Sequence, residues 1–192
     1  YCSNAAALIS LAKPGDVAFS LRSPGSCALS NSTLASIPIL TNRNDNTYVG
    51  NSRDPHKIFI SNGVVNGNYG RKIDYFSPGD SYSELGGGNI SFALPQFAGM
   101  IIALNTALTN ANRAILDINT IKQVLDASSD EVFLESGGVR GVYKESAVQS
   151  GDKYFGQIVN PKKAIDNAIA SSPQLAFVTL LVNVHNNDGG NA

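Results

Sequence analysis

Apolar and polar stretches alternate along the chain in the order expected of an α/β domain. Ala5, Ala6, Ala7, Leu8, Ile9, Leu11 and Ala12 predict a helix over 1–13 that stops at Pro14-Gly15. Asp16 to Leu21 predicts a short strand, ended by Arg22-Ser23-Pro24-Gly25, so the opening reads as half of an α/β repeat. Residues 26–36 are small and polar and predict only a short helix. Ile37-Pro38-Ile39-Leu40-Thr41 predicts a second buried strand, which runs into the polar cluster Asn42-Arg43-Asn44-Asp45-Asn46. A third strand follows at 57–61 and 63–65, interrupted by an Asn-Gly turn or bulge, and a fourth at Ile73-Asp74-Tyr75-Phe76.

The longest apolar stretch begins beyond the glycine run Gly86-Gly87-Gly88 and carries Phe92, Leu94, Phe97, Met100, Ile101, Ile102, Leu104 and Leu108. Apolar residues on every face predict a helix buried on all sides. Pro95 is expected in its first turn, where a missing N–H is tolerated, and Ser91 at or near the N-cap. Ser91 then has two readings. It can be a capping residue, or a nucleophile whose oxyanion would lie near the positive end of the helix dipole. Downstream, Ile118, Ile121, Val124 and Leu125 predict an amphipathic surface helix over 118–127, and residues 130–152 read as loops and short strands. Residues 154–160 lead into a helix over 161–170, capped by Asn160 with Pro161 at its first position. An apolar strand is expected over 175–184, then a polar tail.

Composition narrows the function classes. At 192 residues the chain suits a single domain with a sizeable core. Charged residues make up 15 % and the formal net charge is −1, which gives no electrostatic case for a nucleic-acid or anionic-membrane partner. No apolar run reaches the length of a membrane span, and the first residues carry no basic n-region of a signal peptide. Low charge, abundant Asn, Ser and Gly, and few Lys point to an exported protein, extracellular or at the cell surface. Cys2 and Cys27 read as free thiols or, in an exported chain, as a disulfide pair. Two glycosylation patterns, at Asn31 and Asn89, read as chance; the second would block Ser91.

Ser91-Phe92-Ala93-Leu94-Pro95-Gln96-Phe97-Ala98-Gly99 resembles the nucleophile motif of the subtilisin-like serine proteases, Gly-Thr-Ser-x-Ala-x-Pro-x-x-Ala-Gly. Ser91, Ala93, Pro95, Ala98 and Gly99 match in order and spacing, while Asn89 and Ile90 depart from it. Four further segments follow the family's order. Residues 16–24 look like its substrate strand, and residues 39–45 are similar to the strand that ends in its oxyanion asparagine. Residues 73–79 resemble its Leu-Asp-Val-x-Ala-Pro-Gly, and residues 156–164 its closing Gly-x-Gly-x-Val-Asn-x-x-x-Ala. The resemblance implies a subtilisin-like three-layer α/β fold with a mainly parallel sheet, here lacking its N-terminal strands. It implies a catalytic-domain part over 1–170 and a C-terminal extension strand and tail over 171–192.

The resemblance further implies Ser91 as nucleophile, Asn44 as oxyanion donor, and Ser20, Leu21 and Arg22 as the edge that pairs with a polypeptide substrate. Arg22 and Arg43 replace glycines of the family pattern. The Asp and His motifs of the triad are absent, and His56 and His185 read as loop and tail histidines. A serine without its base is a poor nucleophile. The expected partner is therefore an N-terminal piece of the same protease, as a separate chain, that supplies Asp and His. The chemistry requires no cofactor or catalytic metal. Subtilases often hold structural calcium, but no run of closely spaced carboxylates places one here. The alternative is a non-catalytic module of the same fold that binds peptide or protein or serves a structural role.

Overall fold

The computed structural model describes residues 13, 16–20, 37–41, 47–62, 67–79 and 90–176. Within them lies a mixed α/β arrangement around one seven-stranded sheet. Its strands are β1 (Val17–Ser20), β2 (Ile37–Thr41), β3 (Ile58–Ser61), β4 (Tyr75–Phe76), β5 (Ser129–Ser136), β6 (Val139–Lys144) and β7 (Lys153–Val159). The helices are α1 (Ile90–Asn110), α2 (Ile118–Asp126) and α3 (Pro161–Ser171). The spatial order is β1-β2-β3-β4-β7-β5-β6. β1 to β4 and β7 run parallel, whereas β5 pairs antiparallel with both β7 and β6. Each of the first four strands lies beside its sequence neighbour, as expected of short connections between adjacent elements.

The parallel strands expected from the apolar runs are present, although the regular part of β4 is only Tyr75–Phe76. The expected helix over 1–13, save Lys13, which is not helical, the short helix over 26–36 and the 63–65 piece of the third strand lie outside the described residues. So do Cys2, Cys27 and everything beyond Ala176. Leu175 and Ala176, where an apolar strand was expected to begin, are not in a strand. The Leu175 N–H instead donates to the Asn112 carbonyl at 3.0 Å, and Asn112 Nδ2 donates back to the Leu175 carbonyl at 3.1 Å.

Expectations are corrected at three places. The first concerns α1, which is not buried on all sides. Ala93, Leu94, Phe97, Ile101, Leu104 and Leu108 form a buried stripe against the sheet and α3, but Ile102 is 53 % exposed. The reason is that α1 meets described elements on one face only. Its composition is nonetheless that of a long apolar helix: over Ser91–Asn110 the mean hydropathy of 1.4 suffices, by length and composition, to cross a membrane. That also corrects the expectation that no run reaches such a length.

The second concerns the start of α1. The helix begins at Ile90, so Pro95 is its sixth residue and lies in the second turn rather than the first. Proline brings no N–H to the Ser91 carbonyl, and the ladder of i→i−4 bonds skips that rung. The third concerns residues 130–152, expected as loops and short strands: the strands are longer than expected and pair as one hairpin over 129–144, while 145–152 carry no strand. Ser136 pairs with Val139 across Gly137-Gly138, both at positive φ (57° and 82°), the backbone that two-residue hairpin turns require. Val132, Leu134 and Tyr154 bury a small second cluster beneath it.

The two helices after α1 follow their sequence signals. Asp117 caps α2, accepting from the Thr120 N–H at 2.8 Å, and Asn160 caps α3, accepting from the Lys163 N–H at 3.0 Å with Pro161 following. β7 joins the parallel and antiparallel halves, and Gly156 makes the close approach possible. A Cβ there would lie 2.4 Å from the Tyr75 carbonyl carbon, and its φ is +124°.

Candidate functional site

In open α/β sheets, ligand sites form beyond the carboxyl ends of the parallel strands. The direction of α1 decides where Ser91 lies relative to those ends. Ile102, Asn105, Thr106, Thr109 and Asn110, from the C-terminal half of α1, share a cleft of about 420 Å³ with Asp16 and Val17 at the start of β1. α1 therefore runs counter to β1, and its N-terminus points toward the carboxyl ends. Ser91 is exposed there, one residue inside the helix, with Ala93 and Leu94 buried behind it. Ser20 is the last residue of β1, so its backbone belongs to the same end of the sheet. Thr41 ends the neighbouring β2, and the chain continues from it into the cluster that holds Asn44. Leu21, Arg22 and Asn44 themselves lie outside the described residues, as does His185.

His56 is the one histidine among the described residues. It precedes β3, whose direction is that of β1 and β2, and so belongs to the amino end of the sheet, opposite Ser91. Its backbone N–H donates to Asp54 Oδ1 at 2.9 Å, closing a local turn. The expectation that His56 is a loop histidine agrees with this placement.

One ion network among the described residues was not singled out by sequence reasoning. Asp74 is buried just before β4, where its carboxylate receives Arg53 Nε, Lys122 Nζ at 2.9 Å and the Phe59 N–H at 2.7 Å. Arg53 also holds Asp126 with two nitrogens, at 2.8 and 3.0 Å. The Tyr75 hydroxyl donates to Asp126 Oδ1 at 2.8 Å and lies 3.1 Å from the Lys122 carbonyl, while its ring stacks on Phe97 with centroids 5.4 Å apart. Burial pushes the Asp74 carboxyl up, against Lys122 and Arg53, and pulls the Lys122 ammonium down, against Asp74. Burial and the Asp126 charge raise the Tyr75 phenol, so it stays a donor. Burial lowers the Arg53 guanidinium, but Asp126 and Asp74 more than offset that, and it is raised overall.

This network ties the 53–57 segment, β4 and α2 together, and no atom in it is placed as an attacking group. A signal for it existed. A carboxylate inside Ile73-Asp74-Tyr75-Phe76, an otherwise apolar strand, is tolerated only with charged partners.

Comparison with protein-family models, with curated proteins and with solved structures finds no match to this chain. Among the described residues, no group of three or more His, Cys, Asp and Glu side chains converges as a metal site. The arrangement itself carries the chemistry that can be argued: a serine at the start of a long helix, near the carboxyl ends of parallel strands. A negative charge developing on an atom held there is favoured by the helix dipole and by the N–H groups of the first turn.

Proposed function

We propose that the chain is the C-terminal part of a subtilisin-like serine endopeptidase whose nucleophile is Ser91. The observation that carries this is the exposed position of Ser91 at the N-terminus of α1, toward the carboxyl ends of β1 and β2. The chain order lends support: four adjacent parallel strands, a long core helix, an antiparallel hairpin, a return strand beside β4, and a capped helix.

In the complete enzyme, Ser91 Oγ attacks the substrate carbonyl carbon while a histidine of the N-terminal piece takes its proton. The Asn44 amide and the N–H groups at the start of α1 stabilise the resulting oxyanion. Ser20, Leu21 and Arg22 pair with the extended polypeptide, and Arg22 favours acidic substrate side chains. The partner is the N-terminal piece with its Asp and His. No cofactor is required, structural calcium has no assigned residues, and nucleic acid is not a partner. The setting is extracellular or at the cell surface.

A specific observation favours a second reading. With His56 at the far end of the sheet, the described residues offer Ser91 no histidine base, and a non-catalytic peptide- or protein-binding module has the same appearance. A fluorophosphonate probe separates the two. Intact-mass spectrometry is expected to show one adduct on the chain together with its N-terminal piece, lost in Ser91→Ala. No adduct in the presence of a companion bearing Asp and His would sink the protease assignment in favour of the module.

A further inference from the structure

Lys122 ends in an unusual setting for an amine. Its Nζ donates to the main-chain carbonyls of Asp54 at 2.6 Å and Lys57 at 2.8 Å, and lies 2.9 Å from Asp74 Oδ1. The three donors of the ammonium thus meet three oxygens, and Lys122 is only 8 % exposed. Two of those oxygens are carbonyls three residues apart on one loop, both turned to the same point. The Asp54 side chain faces elsewhere, onto the His56 N–H and Lys57 Nζ. Converging carbonyls beside a buried carboxylate repel one another unless a positive charge sits between them.

We infer that Asp54 O, Lys57 O and Asp74 Oδ1 form a cation site whose resident ion is the Lys122 ammonium, and that truncating Lys122 opens this site to a free monovalent cation. The oxygens are spaced around an ammonium nitrogen, so a free ion of that size fits without their moving. At 2.6–2.9 Å the distances exceed the roughly 2.0–2.1 Å of magnesium and reach or pass the roughly 2.3–2.6 Å of calcium. Ammonium and potassium are of similar size and are the free ions that fit. Arg53 Nε shares that same Asp74 Oδ1, but its two other nitrogens are held by Asp126, so the guanidinium stays in place and leaves the Asp54 and Lys57 carbonyls to the second cation. The tether makes the native chain independent of dissolved cations, and it does so whether or not Ser91 is a nucleophile.

The test uses thermal unfolding of the full 192-residue chain, followed by circular dichroism, in KCl, NH4Cl and tetramethylammonium chloride at equal ionic strength. The native chain is expected to melt at one temperature in all three. Lys122→Ala is expected to melt lower, with a Tm that climbs several degrees as potassium or ammonium is raised and stays flat in tetramethylammonium. An ion that binds only the folded state stabilises it by mass action. If Lys122→Ala is unfolded at low salt, the same ions are expected to restore its near-ultraviolet signal. Lys122→Met, whose side chain fills the space, should show no climb, and neither should Lys122→Ala combined with Asp74→Asn. An equal response of Lys122→Ala to potassium and tetramethylammonium, or no recovery in any of the salts, overturns the inference.

Discussion

β3 and β6 belong to one sheet and are built for opposite surroundings. Ile58-Phe59-Ile60-Ser61 is buried at every position and pairs with a parallel neighbour on each side. Val139-Arg140-Gly141-Val142-Tyr143-Lys144 has no buried residue and, among the described strands, pairs only with β5. Parallel strands are covered on both faces and read as continuous apolar runs, whereas an antiparallel strand can give one face to water. The edge position of β6 accounts for its Arg140 and Lys144, since charged side chains on an edge discourage pairing with other chains. The lesson is that strand sequence here reports coverage more than propensity. The parallel half is held by a packed core and one internal ion network, and the hairpin by a small apolar cluster and half-buried ion pairs at Glu135.

The sharpest way to break this contrast is at Asp74. Asp74→Asn keeps the shape but leaves the buried Lys122 without its counter-charge and Arg53 with Asp126 alone, so a loss of about 3 kcal/mol is expected. Urea unfolding measures it, and a loss below about 1 kcal/mol would mean that the parallel half does not depend on the network.

A smaller effect is expected at Asp117, which caps the helix that carries Lys122 and Asp126. Asp117→Ala should cost about 1 kcal/mol, as removal of an N-cap oxygen usually does. The cap also predicts a pH dependence. The Thr120 N–H holds the Asp117 carboxyl below its ordinary range. A carboxyl lowered in the folded state adds stability that is present above its unfolded pKa and lost as pH falls through the folded one. The difference between the native chain and Asp117→Ala should therefore shrink in acid, below about pH 4. A difference that grows in acid would show that the cap acts through something other than its charge.

The smallest effect should come from β6. Val142 is 55 % exposed, and Val142→Thr is expected to change stability by no more than about 0.5 kcal/mol. A loss of about 2 kcal/mol would mean that β6 is covered in solution and would remove the contrast with β3.

Much of this was legible from local chemistry. The runs at 37–41 and 58–61 became strands because they are apolar and β-branched, and α2 and α3 began where Asp117 and Asn160 could accept from the first turn. The hairpin was underread, although Gly137-Gly138 between Ser136 and Val139 was its turn signal. The exposure of Ile102 was not readable, because an apolar helix position does not state whether anything covers it.

For the candidate site, the motif around Ser91 and the order of the segments were sequence properties, and so was the lack of an Asp or His motif of the expected type. Only the fold set α1 counter to β1, which carries Ser91 toward the carboxyl ends of the strands and leaves His56 at the other end. Only the fold brought Arg53, Asp74, Lys122 and Asp126 into contact, across as many as 73 positions of sequence. Local signals act through the backbone conformations and caps of neighbouring residues, and they are written where they act. An ion network and an oxygen cradle are built by elements far apart in the chain, and they exist only once packing has excluded the water that would otherwise satisfy each charge.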